Sequence, residues 1–316
     1  LVASSHTAFR QRLSPWRERK AEIHVSAQSP AVARLRLRHA LRSARESSDY
    51  TQEQVASELE WSLSKVIRIE NGTVRMTVTD VRALMQLYGI DDASEMSEME
   101  SLVRASRQRS WWTQYGSEVM SGRFATYIGL EDGASALSMY QALVVPGLLQ
   151  TEAYARAVIA GLRMPEQDSR NHETYLDIRL RRQENVLQRK DPPQVHAVLD
   201  EAVLRRINGG VGVQRDQLLH LVALGAAPHI HLRVLPLSSG IHTMESTFVL
   251  LSFPFGEDVV YLELNSALAG DPDRGQFLDR GEVAAPYRDT FTMLTGTALS
   301  EADSLAFIAK VAGELR

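Results

Sequence analysis

Residues 51–72 read Thr51-Gln52-Glu53-Gln54-Val55-Ala56-Ser57-Glu58-Leu59-Glu60-Trp61-Ser62-Leu63-Ser64-Lys65-Val66-Ile67-Arg68-Ile69-Glu70-Asn71-Gly72. Thr51 can cap a helix and Gln54 can reach back to it, the reciprocal arrangement of a capping box, ahead of the apolar positions Val55, Ala56 and Leu59. After only Glu60 and Trp61 a second cap appears at Ser62. Val66 and Ile69 then give the inward stripe of a further helix that stops at Asn71-Gly72. Two short helices joined so tightly must cross steeply, and Ala56 is the small residue where their backbones approach.

On the N-terminal side, about Val32 to Ser47, Leu35, Leu37, Ala40, Leu41 and Ala44 fall near helical spacing. On the C-terminal side a fourth helix starts near Thr79 and includes Val81, Leu84 and Leu87. No strand-like alternation occurs from Pro30 to Gly89, so the spacing predicts a mainly α helix-turn-helix bundle. The pattern Thr51 to Ala56, then Ser62-x-Ser64-Lys65-Val66-x-Arg68-Ile69-Glu70-Asn71-Gly72, resembles the DNA-binding domain of phage repressor and Cro proteins, the XRE type, over roughly Arg34 to Ile90. That family commonly carries Gly at the turn where this chain has Glu60, so a non-glycine residue with positive φ is expected, at a cost of roughly 1 kcal/mol.

The resemblance implies roles for particular side chains. The start of the third helix would enter the major groove, where Ser62, Ser64, Lys65 and Arg68 can reach base edges, Arg68 with a bidentate fork suited to guanine. Gln52, Asn71 and Arg75 fall where the family touches phosphates, which sets register without reading sequence. A carboxylate facing DNA would repel it, and in the resembling proteins the position of Glu70 pairs with an Arg of the first helix, here Arg45.

Charge agrees with a nucleic-acid partner at this end. The net charge of -4 divides into 14 Lys and Arg against 9 Asp and Glu up to Ile90, and 21 against 30 beyond it. With 316 residues, 44% of them hydrophobic, the chain can form two ordinary domains. The absence of cysteine excludes a disulfide scaffold, a thiol nucleophile and a thiolate metal site. No apolar run approaches the length of a membrane span, and cytoplasm is the default compartment. The arginine-bearing first residues lack the apolar core of a signal peptide. Residues 1–29 therefore read as a loose arm or an over-called start, 30–90 as the helix-turn-helix domain, 91–110 as an acidic helical linker and 111–316 as a second domain.

In that second domain β-type runs appear at about Ala136 to Val144, Val195 to Leu199, Ile230 to Leu235, Thr247 to Phe253 and Val259 to Leu264. They alternate with helical stretches, the longest from about Pro165 to Arg189, and a final helix is capped by Ser300 with Asp303 behind it. The expected product is an α+β domain with one mixed β-sheet. The phrases Trp111-Trp112, Tyr127-Ile128-Gly129-Leu130-Glu131, Val145-Pro146-Gly147-Leu148-Leu149-Gln150-Thr151, Arg179-x-x-Arg182-Gln183, Asp200 to Arg206 and Val234-Leu235-Pro236 resemble the C-terminal domain of actinobacterial helix-turn-helix regulators described as toxin-antitoxin-like. The resemblance implies a transcriptional regulator, often encoded beside a small partner protein, and supplies no ligand or chemistry.

Chemistry is weakly signalled. His229 and His231, two apart in a strand, would share a face, but a third metal ligand would have to come from His196 or His242, so no metal and no cofactor is expected. Glu131, Asp132, Asp200, Glu201 and Glu263 stand at element ends, where carboxylates more often serve helix dipoles than catalysis. No nucleophile elbow, phosphate loop or His-Glu-x-x-His run is present, and the chain reads as a non-enzyme. Trp111 and Trp112 offer a possible ligand or partner surface, although bulky aromatics after a linker more often pack one domain against another. The expected function is a sequence-specific regulator, a repressor binding an inverted-repeat operator in double-stranded DNA as a homodimer, with the C-terminal domain sensing a small molecule or a small protein from a neighbouring gene. The alternatives are an antitoxin-like interaction module with autoregulatory DNA binding, and a DNA-tethered enzyme.

Overall fold

The computed structural model describes residues 29–116, 119–120, 122–161, 172–240, 247–255, 258–262, 276–278 and 281–316. Residues 1–28 of the expected arm, Pro165, His242 and Glu263 lie outside them, while Ser29, placed in that arm, belongs to the first helix as its cap. Two compact units divide the chain at Ser110 and Trp111, with 254–256 grouped with the first.

The first unit, the head, is a bundle of five helices: α1 (Pro30–Ser47), α2 (Gln52–Glu58), α3 (Leu63–Glu70), α4 (Val78–Leu87) and α5 (Ala93–Ala105). Each start has a local cause. Pro30 follows the cap Ser29 on α1, Thr51 and Gln54 close a capping box on α2, Ser62 caps α3, and Asp92 caps α5. The α4 cap is Thr77, two residues ahead of the expected start, in a second capping box with Asp80. Leu37, Leu41, Val55, Val66, Ile69, Val81 and Leu84 fill one core. Within the segment expected as a linker, α5 adds Met99, Leu102 and Val103 to that same core. Its acidic composition hides an apolar stripe of helical spacing, and burying three such side chains stabilises by several kcal/mol, on the order of 2 kcal/mol each.

The second unit is an α+β domain with one mixed six-stranded sheet, in the order β3-β2-β1-β4-β5-β6. β1 (Ala136–Gln141), β2 (Gln194–Asp200) and β3 (Ile230–Leu235) are parallel, with Leu137 opposite Val195 and Val195 opposite Ile230. β4 (Phe248–Ser252), β5 (Val259–Leu262) and β6 (Gln276–Leu278) are antiparallel additions. The parallel strands need crossovers. α7 (Glu152–Gly161) and α8 (His172–Leu187) join β1 to β2, while α9 (Glu201–Arg205) and α10 (Val211–Leu224) join β2 to β3. Near-continuous apolar runs such as Ala197-Val198-Leu199 suit strands covered on both faces. Ahead of β1 lie a short 3-10 turn (Trp111–Tyr115) and α6 (Gly122–Gly133); after β6 come α11 (Gly281–Thr297) and α12 (Glu301–Glu314), the last capped by Ser300.

Candidate nucleic-acid interface

The turn between α2 and α3 is closed by the backbone. Glu60 adopts φ 52°, and the Trp61 N–H returns to the Ala56 carbonyl at 2.8 Å. Holding a glutamate in the left-handed region costs roughly 1 kcal/mol, which the packed bundle offsets. At the start of α3 the Ser62 hydroxyl accepts the Lys65 N–H at 3.2 Å. At its end Gly72, with φ 68°, donates to the Ile69 carbonyl at 3.0 Å and Thr73 donates to the Arg68 carbonyl at 2.9 Å. This pair of bonds is a Schellman stop, and its left-handed position is why a glycine stands there. Val66 and Ile69 are thereby turned inward and Ser62, Ser64 and Arg68 outward.

Glu70 is buried and fully used. Its carboxylate accepts from Arg45 Nε at 2.6 Å, Arg45 Nη2 at 3.2 Å and Gln52 Nε2 at 2.8 Å, while Arg45 Nη1 donates to the Tyr50 carbonyl at 2.8 Å. One carboxylate thus ties α1, α2 and α3 together. It leaves Gln52 a single amide hydrogen for any outside acceptor, which narrows the phosphate role expected of that residue.

Lys65 is also held from within. Its ammonium lies 2.7 Å from Asp80 Oδ1 and 3.4 Å from the centre of the Trp61 ring. A side chain expected at base edges is therefore engaged in an internal ion pair with α4. Arg68 and Arg75 differ: both are exposed, and neither side chain hydrogen-bonds or ion-pairs with any described residue. Together with Ser62, Ser64, Lys65 and Asp80 they border a shallow cavity of about 260 Å³. The Arg34 guanidinium, which donates to the Ser106 carbonyl at 3.1 Å, is held below its usual range by burial first and by the charge of Arg75 second. Asn71 caps α3 in the open, away from that cavity. Sequence reasoning missed Leu63, which is 38% exposed on the first turn of α3. Only hydrogen-bonding types were sought there, although an apolar contact can read a thymine methyl.

Net charge does not mark this surface. Residues 29–110 hold twelve Lys and Arg against twelve Asp and Glu, and the basic excess at this end of the chain lies partly before residue 29. What distinguishes the outer face of α3 is which cations are left unpaired.

In the second unit several of these phrases meet through buried polar contacts. Glu131 on α6 is fully buried and takes a bidentate pair from Arg182 on α8 at 2.8 and 2.9 Å, plus the Tyr127 hydroxyl at 2.7 Å. Arg179 donates to Gln150 at 2.7 Å, and Gln183 donates to the Gly147 and Gln150 carbonyls at 2.8 Å. Gln217 of α10 serves Leu149 and Thr151. The loop from Val145 to Thr151, which holds one short 3-10 turn over Gly147–Leu149, is thus hydrogen-bonded mainly by side chains.

The other candidates take up scaffold positions too. Asp200 caps α9 at the Ala202 N–H, 2.8 Å away, and Glu201 accepts from Arg205 and from the Leu237 N–H. Burial, first, raises the Asp132 carboxyl above its ordinary range. His229 precedes β3, so the strand pair expected with His231 does not form. His231 stacks instead on His196 of β2, ring centres 4.5 Å apart, because the two are opposite in register. Among the described residues no group of three or more metal-ligating side chains converges. Trp112, half of the possible ligand or partner surface, is buried and meets Trp111 edge-on at 5.4 Å, since a ring that large gains most from removal from water. Trp111 stays half-buried. Among the described residues no helix is long and apolar enough to cross a membrane.

Comparison with known families separates the two units in the same way. Residues 36–99 match the family described as helix-turn-helix domain, and that match extends into α5. Residues 124–310 match the domain of unknown function DUF5753. Neither match carries the toxin-antitoxin grouping. No curated protein and no solved structure matches the chain. Because the second match covers more than half of the chain, and the first covers the bundle whose outer helix face is described above, the chain belongs to the DUF5753 family and carries a helix-turn-helix DNA-binding domain ahead of that domain.

Proposed function

We propose that this protein is a sequence-specific transcription regulator, a cytoplasmic repressor without catalytic activity, that binds an inverted-repeat operator as a homodimer. The observation that supports it best is the outer face of α3 and the segment after it, where Arg68 and Arg75 stand exposed and unpaired near Ser62 and Ser64, while Arg45 of the same head is bound internally. Ser62, Ser64 and Arg68 read base edges, Leu63 supplies an apolar contact, and Arg75, Asn71 and Gln52 hold phosphates.

Dimerisation follows from size. An eight-residue helix is about 12 Å long and reaches few base pairs, so selective binding needs a second head one helical turn away along the duplex. In this reading the DUF5753 domain supplies the contacts between copies and senses a small molecule or a small protein partner, which changes the spacing of the heads. Incubating the protein with fragmented DNA of its source at physiological salt, and sequencing what is retained, tests the proposal. A few sites sharing an inverted repeat are expected. Retention without a shared motif would instead favour an antitoxin-like interaction module whose DNA binding requires its partner.

A further inference from the structure

The first turn of α3 carries a cation that the head itself occupies. Lys65 is the third residue of the helix and borders the same cavity as Arg68 and Arg75, yet its ammonium is gripped from two sides, by Asp80 Oδ1 at 2.7 Å and by the face of Trp61 at 3.4 Å. Neither partner is loose. Asp80 Oδ2 accepts from the Thr77 N–H at 2.9 Å and from the Thr77 hydroxyl at 2.7 Å, so the capping box that starts α4 also aims the other oxygen at Lys65. The Trp61 side chain packs, partly buried, against the core of the head, and its N–H returns to the Ala56 carbonyl across the turn. Burial pushes the Asp80 carboxyl up, but the hydrogen bonds from Lys65 and Thr77 outweigh it and hold the group below the ordinary carboxylate range. The carboxylate is therefore ionised wherever the head is folded near neutral pH.

We propose that Asp80 and Trp61 form a clamp that withholds Lys65 from the DNA backbone, which makes Asp80 a specificity-determining residue of the head. The inference rests on the DNA-binding reading above. A free lysine on this rim would add one phosphate contact to every DNA sequence alike, whereas a neutralised one adds none. Suppressing a sequence-independent contact widens the gap between operator and bulk DNA without any new contact to the operator.

The test is the salt dependence of binding to a random-sequence duplex, for wild type, Asp80→Asn, Lys65→Gln and the double variant, with circular dichroism confirming that each is folded. Releasing the lysine in Asp80→Asn should tighten random-sequence binding roughly eightfold near 0.1 M salt and steepen the slope of log affinity against log salt by about 0.9, one phosphate's share. Lys65→Gln alone strands the Asp80 carboxylate beside the DNA and should weaken binding, whereas the double variant, neutral at both positions like the wild-type pair, should keep the wild-type slope. A flatter slope for the double variant than for wild type overturns the clamp, because Lys65 would then already contact phosphate; an unchanged slope for a folded Asp80→Asn overturns it equally. If Asp80→Asn does not fold, Asp80→Ser, alone and combined with Lys65→Gln, takes its place. Wild type that binds no duplex even at low salt overturns both the clamp and the function it rests on, whereas wild-type binding with unshifted variants sinks the clamp alone.

Discussion

Arginines serve opposite ends in two regions of this molecule. In the DUF5753 domain Arg182 is buried against Glu131, Arg205 bridges Glu201 and Glu314, Arg288 holds Asp258, and Arg189 reaches the carbonyls of Asp132 and Ala134. Those guanidinium groups fasten helices and loops to one another. On the outer face of α3 and just beyond it, Arg68 and Arg75 fasten nothing among the described residues, while Arg45 and Lys65 are tied to Glu70 and Asp80. The difference teaches that a binding surface is marked less by the number of its cations than by which of them the fold leaves over.

The contrast predicts that arginine pairs in the two regions fail differently when cut. Glu131→Ala strands a buried guanidinium and should destabilise the second unit by about 3 to 5 kcal/mol, read as an earlier midpoint of its urea transition with the slope unchanged. A loss below about 1 kcal/mol would mean that the network does not fasten α6 to α8. Glu70→Ala should cost the head about 3 kcal/mol, because Arg45 and Gln52 lose their shared partner together. Weakened DNA binding without any loss of stability would place Glu70 at the interface rather than under it.

A smaller effect separates the units by pH. Burial first, and the charge of His231 second, hold the His196 imidazole below its ordinary value, and burial does the same to His220. The unfolded chain takes up protons near pH 6.5 that the folded unit resists, so the stability of the second unit should fall as pH drops from 7.5 through about 6.5. It should level off below the folded values. Urea midpoints at a series of pH values check this; a second unit that gains stability on mild acidification would contradict the burial of these rings. The smallest change expected is at the turn: Glu60→Gly should stabilise the head by about 0.5 kcal/mol, visible as a slightly higher melting temperature, since glycine removes the left-handed strain but adds freedom to the unfolded chain.

What could be read in the sequence was local. The caps Thr51, Ser62 and Ser300, the Asn71-Gly72 stop and the left-handed Glu60 depend on residues within one or two turns, and each stands where the pattern puts it. Five strands were visible as apolar runs, whereas β6, three residues at a sheet edge, carries too little pattern to register. The Arg45 and Glu70 pair came from resemblance, not from spacing, since 25 residues separate them. The capture of Lys65 by Asp80 could not be seen at all: the partners sit 15 residues apart on different helices, and only the folded head brings them together. The apolar stripe of α5 was masked by the acidic residues that flank it.

The decisive measurement is the affinity of wild type, Arg68→Ala and Arg75→Ala for the retained operator and for random-sequence DNA across a salt series. Arg68→Ala should lose about 1 to 3 kcal/mol of discrimination between the two DNAs with folding stability unchanged within about 0.5 kcal/mol. Arg75→Ala should weaken both DNAs alike and flatten the salt slope by about 1. Equal losses for both variants on every DNA, or no loss for either, would contradict the claim that the outer face of α3 reads sequence through the cations that the fold leaves unpaired.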